Sequence, residues 1–166
     1  TVWSLQYFGL LAKGIFIKSF YSANKLPAEA SFNLHGIEVG NHTMADAVKW
    51  ASGSYKSTKT AVFVNAHSVN LSFKHADLAS NINKADRVFA DGSGIRLAAK
   101  RHKVALLDNV NGTDMLPLLC EAAAAKGLSV FLLGANHGVA FKAGLELKKQ
   151  FPSLKIAGVH HGYFEQ

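Results

Sequence analysis

Cysteine is almost absent from this chain: Cys120 is the only one in 166 residues. A lone thiol excludes an intramolecular disulfide framework and any zinc site built on paired thiolates. Proline is nearly as scarce, and three Pro with 14 Gly argue against collagen-like or low-complexity sequence. Acidic residues are few, 11 against 18 Lys and Arg, which leaves a formal net charge of +7. That excess suits anionic partners: nucleic acid, phosphorylated small molecules or an acidic membrane surface. Nucleic acid is disfavoured, because the basic–aromatic interleaving used to bind it does not appear. An unbroken apolar run of the ~20 residues that a bilayer span needs is also lacking. The most apolar stretch, residues 1–25, is interrupted by Gly9, Lys13, Gly14 and Lys18.

What is present is a chain that is 49% hydrophobic and only 17% charged, enough for one domain with a substantial core and too apolar for disorder. It begins at Thr1 and stops at Phe164-Glu165-Gln166 without a closing signal, and reads as a segment of something longer. Trp3, Tyr7, Leu10, Leu11 and Ile15 fall at helical spacing, so residues 1–25 predict a basic amphipathic helix. Such a helix fits a membrane surface, and fits packing on another domain equally well. Residues 26–34, with Pro27, read as a linker.

From residue 35 strands and helices alternate. Strands are expected at His35–Val39, Ala61–Val64, Arg87–Ala90, Ser129–Leu133 and Leu154–Val159. Helices are expected after the Thr43 cap, through Val69–Ile82, after Gly94, from a Thr113 cap to Gly127, and from Val139 to Phe151 before Pro152. This alternation predicts an α/β fold with a mostly parallel sheet covered by helices on both faces.

In such sheets ligands bind beyond the carboxyl ends of the strands. Three loops occupy that position: Asn65-Ala66-His67, Asp91-Gly92-Ser93-Gly94 and Gly134-Ala135-Asn136-His137-Gly138. Glycines there allow close approach to a ligand, and helix starts favour phosphate. Arg96, Lys100, Arg101 and Lys103 follow the second loop, so a nucleotide diphosphate is a reasonable ligand. A dinucleotide fingerprint fails at Leu97, where the third Gly should stand, and neither Gly-rich loop has the Gly-Lys-Ser/Thr of a P-loop. No Asp-x-Asp pair or HExxH spacing occurs, and adjacent His160 and His161 are expected to point to opposite faces of a strand, so no metal site is expected. By position alone Asp91, Asp108 and Asp114 read as helix or turn caps, and Cys120 as a buried small hydrophobe.

Taken together, the segments His35–Val39, Thr43–Ala47, Val64–His67, Ala85–Ile95, Val110–Met115, Val130–Gly134, Gly138–Ala140 and His160–Phe164 stand in the order of one family. Residues 35–166 resemble the bacterial WecG/TagA/CpsF glycosyltransferases, also called glycosyltransferase family 26. The resemblance implies a Rossmann-like domain, C-terminally incomplete here because the family continues into a Pro-x-Gln-Glu motif and a membrane-directed region. It implies metal-independent, cofactor-free, inverting transfer of a sugar of N-acetylmannosamine type from a UDP-sugar to a polyprenyl-diphosphate-linked saccharide. The setting would be cell-surface polysaccharide synthesis at the cytoplasmic face of the bacterial inner membrane, with peripheral attachment; a homo-oligomer stays open.

The family's proposed base matches Asp91, which reverses the capping reading, and its strand-end Asn matches Asn65. Substrate contacts are expected from Asn65, Ala66, His67, Gly92, Ser93, Gly94, Asn111, Gly112, Asp114, Gly134 and Asn136. Two family positions differ: a Thr is Phe63 and an Arg is Asn109, so diphosphate stabilisation would fall to Arg96, Lys100 or Arg101. The N-terminal Trp3-Ser4-Leu5 and the basic apolar stretch after it look weakly like the tail of a polyprenyl-phosphate sugar-1-phosphate transferase. Two other classes stay open on the residues alone: a nucleotide-cofactor oxidoreductase, and a non-catalytic membrane-associated fragment.

Overall fold

The computed structural model describes residues 2–4 and 30–163. The described core begins with a hairpin. Strands β2 (Ser31–Leu34) and β3 (Ile37–Gly40) pair antiparallel, with Phe32 opposite Val39. His35 at φ 52° and Gly36 at φ 80° make the left-handed two-residue turn that matches strand twist. Asn33 Oδ1 accepts the Gly36 N–H at 3.0 Å and holds it. The strand expected at His35–Val39 is therefore displaced: His35-Gly36 is a turn, and Ser31–Leu34, expected as linker, is a strand.

Thr43 caps α1 (Met44–Ala51) as expected, its Oγ1 accepting from Asp46 N at 3.1 Å. β4 (Ala61–Val64) follows the polar loop. One helix was expected over Val69–Ile82, and two are found, α2 (Ala66–Ser72) and α3 (Ala76–Ile82). Leu71 O accepts from both Lys74 N and His75 N, which closes α2, while Phe73 leaves the helix to stack on His35 at 3.5 Å. β5 (Arg87–Ala90) then pairs parallel with β4 and β3, giving the order β2-β3-β5-β4.

Alternation along these strands builds two cores. Val64, Val88 and Ala90 face Val69 of α2, Ile82 of α3, and Ile95 and Ala99 of α4 (Ser93–Arg101). Phe63 and Phe89 face the opposite way, onto Ala47 and Ala51 of α1 and Met115 of α5 (Gly112–Ala125). This sheet thus has helices on both faces. The α5 cap is Asn111 rather than Thr113, because the Asn side chain accepts the N–H of Asp114 at 2.8 Å.

The expected single sheet is divided. A second, parallel sheet has the order β1-β6-β7, with β1 Val2–Ser4, β6 Ser129–Leu133 and β7 Lys155–His160. Its core joins Leu132 and Leu154 to Cys120 and Ala123 of α5 and Leu147 of α6 (Val139–Gln150). α5 therefore serves both sheets. Burial pushes the Cys120 thiol up to about 11, as suits a core hydrophobe. Of the helix expected over residues 1–25, Val2–Ser4 is instead a strand on β6, and the rest lies outside the described residues.

Candidate active site at the carboxyl ends of the strands

Asp91 stands where β5 ends, its backbone N–H still bonded to Val64 O at 2.9 Å. Gly92 follows at φ 97°, and a Cβ there would meet nothing within 4 Å, so the loop faces open space. It starts α4 without a side-chain cap. Asn109 reaches across from the segment before α5, and its Oδ1 accepts the Gly92 N–H. Sequence reasoning noted Asn109 only as a departure from an expected Arg. The amide can accept this bond, whereas a guanidinium has no acceptor.

Gly94 is constrained differently. A Cβ there would lie 2.8 Å from Ala66 Cβ, so the starts of α2 and α4 approach closely enough to demand glycine. This brings the Asn65 and Asp91 loops together. Asn65 caps α2, with Oδ1 accepting from Ser68 N at 3.0 Å, and His67 is exposed on the first turn.

The Asp91 carboxyl is half-buried, and among the described residues nothing donates to it. Burial first, and the Asp114 charge second, raise its proton affinity above the ordinary aspartate range. Asp114 is itself held by Asn111, whose Nδ2 donates to Asp114 Oδ2 at 2.7 Å, with Gly112 opening the helix between them. A carboxylate with raised proton affinity beside an uncapped helix start can accept a proton while anionic charge develops nearby.

The segment before α5 that carries Asn109 is tied to the β3–α1 connection by Asn41, which the sequence did not single out, and by Asp108, which it read as a cap. Buried Asn41 donates to Ala105 O at 2.9 Å and accepts from Leu107 N at 2.7 Å. Asp108 Oδ2 accepts from Met44 N at 2.9 Å. An Asn directly after a strand, in Gly40-Asn41, is the only signal that could have marked it.

The cations are placed less favourably. Arg96 is exposed one turn into α4, but Lys100 and Arg101 stand in its last turn. At about 1.5 Å rise per residue they are roughly 10 Å or more along the axis from Ser93, where they complement the helix C-terminus instead. The structure does not bring them to Asp91.

The third loop lies at the ends of β6 and β7. Gly134 N–H donates to His160 O at 3.0 Å, and exposed Asn136 uses its carbonyl to accept from Val139 N at 3.1 Å. An apolar cavity beside Gly134 runs between α5, β6 and α6, lined by Leu116, Leu119, Val139, Ala140 and Ala143. His160 and His161 were expected on opposite faces; instead their rings stack at 4.3 Å, because His161 lies past the end of β7. Among the described residues no three His, Cys, Asp or Glu side chains converge as metal ligands. No helix among them is long and apolar enough to cross a membrane.

The sequence profile of the glycosyl transferase WecG/TagA/CpsF family matches residues 32–166. Curated relatives from Staphylococcus aureus strains NCTC 8325, COL and MRSA252 carry the name N-acetylglucosaminyldiphosphoundecaprenol N-acetyl-beta-D-mannosaminyltransferase. Each is 29% identical over 140 residues, covering 82% of this chain and 55% of the relative. The chain thus spans about half the length of the curated relatives it matches. With the matching loops gathered at the carboxyl ends of the strands and the profile extending over most of the chain, the protein belongs to the WecG/TagA/CpsF glycosyltransferase family.

Proposed function

We propose that this domain transfers a hexosamine of N-acetylmannosamine type from a UDP-sugar to a polyprenyl-diphosphate-linked saccharide, with inversion and without a metal ion. The names of the Staphylococcus aureus relatives support the class of acceptor and sugar. The observation that carries the reading is Asp91: a half-buried carboxylate of raised proton affinity in an open loop, beside the uncapped start of α4.

In this reaction the Asp91 carboxylate takes the proton of the acceptor hydroxyl as its oxygen attacks the anomeric carbon. The bond to the nucleotide diphosphate breaks on the opposite side, which inverts the centre. The departing diphosphate is received by the N–H groups of α4, with Arg96 one turn behind. Asn65 and Asn111 fix the neighbouring helix starts, and Gly94 lets them close on the sugar. The lipid-linked acceptor in the relatives' name supports action close to a membrane, and a peripheral position at the cytoplasmic face is part of this proposal.

Asp91→Asn in the full-length protein tests this. Loss of a general base is expected to lower kcat by about 10²–10⁴-fold with the circular dichroism spectrum unchanged. Turnover within a few-fold of wild type would remove Asp91 as the base. Titration with UDP against NAD(P) separates transferase from oxidoreductase: UDP alone is expected to bind.

A further inference from the structure

The apolar cavity beside Gly134 takes no part in the transfer chemistry above. Its walls are Leu116 and Leu119 of α5, Leu132 of β6, and Val139, Ala140 and Ala143 of α6. Leu116 and Leu119 stand one helical turn apart and so share a face of α5. Opposite them, α6 rests on the sheet at Gly144, where a Cβ would lie 3.6 Å from Leu132 Cδ1 and 3.7 Å from Val159 Cγ1. Towards the start of the same helix, Ala140 and Ala143 reach out with only a methyl group each, and the space they leave is the cavity.

Protein interiors pack as densely as organic crystals, so an apolar void destabilises a fold unless a ligand fills it. The side chains that line this one are all apolar. A uracil, ribose or sugar entering it would give up hydrogen bonds to water and gain none from a side chain. A hydrocarbon chain gains by leaving water for the same space. Position narrows the choice further. Gly134 and Ala135 at the end of β6 and Val139 at the start of α6 form one side of the cavity, which therefore lies directly behind the carboxyl ends of the strands. On the α5 side, Leu116 follows closely after Asp114, whose charge acts on the Asp91 carboxyl. The transfer proposed above has one substrate that is hydrocarbon over most of its length, the polyprenyl-diphosphate-linked saccharide. Only the saccharide separates its diphosphate from the reacting hydroxyl.

We propose that the cavity between α5, β6 and α6 receives the first isoprene units of the lipid-linked acceptor, with the diphosphate outside it and the saccharide turned towards Asp91. The identity of this lipid rests on the transferase reading; the preference of the cavity for a hydrocarbon chain does not. Burial of the chain supplies affinity, and the anchored end positions the saccharide for reaction. A diphosphate without a hydrocarbon chain gains nothing from the cavity.

Calorimetric titration of the full chain with farnesyl diphosphate and with inorganic pyrophosphate tests this. Farnesyl diphosphate is expected to bind more tightly than pyrophosphate. Ala143→Leu fills the cavity and is expected to weaken farnesyl diphosphate binding by about tenfold, the equivalent of about two methylene groups left in water, while pyrophosphate binding stays the same. The unmodified protein gives a second readout that does not depend on the variant folding: nuclear Overhauser contacts are expected between the farnesyl chain and the methyl groups of Leu116, Leu119 and Val139. Equal farnesyl diphosphate affinity in wild type and folded Ala143→Leu overturns the proposal. So does the lack of those contacts, or their replacement by contacts from the uracil of UDP or from another segment of this chain. Asp91→Asn is expected to keep farnesyl diphosphate binding while it loses turnover, so failure of the base and failure of the lipid cavity are read separately.

Discussion

The two halves of the molecule end their strands in contrasting ways. At the β4–β5 edge the polar side chains around Asp91 are committed to backbone: Asn65 to Ser68, Asn109 to Gly92, Asn111 to Asp114. At the β6–β7 edge α6 begins at an uncapped glycine, Asn136 contributes only its carbonyl, and three imidazoles lie against one another. The same strand–loop–helix unit therefore serves two ends. One edge is a finished cradle around a single carboxylate. The other sets stacked imidazoles beside a helix start that no side chain caps.

If the first edge is pre-built, breaking its brace costs stability before it costs binding. Asn41→Leu removes the side-chain partner of the Ala105 carbonyl and of the Leu107 N–H, both part-buried bonds. A typical hydrogen bond contributes about 0.5–1.5 kcal/mol, so urea unfolding is expected to show a loss of roughly 1–3 kcal/mol. A loss below about 0.5 kcal/mol would mean that water replaces both bonds and that the edge is not rigidly held.

Asn109 sharpens the same contrast. Asn109→Ala removes the acceptor for Gly92 N–H, and kcat is expected to fall about tenfold through misplacement of Asp91. Asn109→Arg is expected to behave like Ala at this bond, and Asn109→Asp to retain it, with Gly92 amide exchange as the direct readout. Rescue of Gly92 protection by Arg would show that the bond is dispensable. The smaller cap deletions come next. Asn65→Ala and Asn111→Ala are each expected to lower stability by about 1 kcal/mol in thermal unfolding, since each leaves a helix-start N–H without its acceptor.

The β4–β5 edge was legible in the sequence to a greater depth than the β6–β7 edge, for a physical reason. β4, β5 and β6 are short apolar runs bounded by polar loops, and their limits follow from composition. Asp91 and Asn65 stand directly at strand ends, where neighbouring residues announce them. The hairpin at His35-Gly36 was missed because only its left-handed backbone, not its polarity, marks the turn. The Thr113 cap was misplaced by two residues because Asn111 and Thr113 are both competent caps, and the Asp three residues after Asn111 decides between them. Asn41, Asn109 and the histidine stack depend on partners far away in the chain, which no local pattern reveals. Lys100 and Arg101 looked close to Asp91 in sequence, but helix rise carries them to the other end of α4.

The smallest expected effect concerns the energetic consequence of the cradle itself. Burial and Asp114 raise the Asp91 carboxyl above its ordinary range, so the folded protein holds that proton more firmly than the unfolded chain. As pH rises from the ordinary aspartate value through the raised one, the unfolded state has fewer protons bound, and stability falls. The deficit then persists at neutral pH, where the carboxylate is charged and poorly solvated. Asp91→Asn removes it while nearly conserving shape. The variant is therefore expected to unfold at a higher temperature than wild type at neutral pH, and at the same temperature once pH lies below the ordinary aspartate range. A base strained in this way gains function at the expense of stability. A variant less stable than wild type at neutral pH would show that the site favours the charged carboxylate, and the basis for its raised proton affinity would be lost.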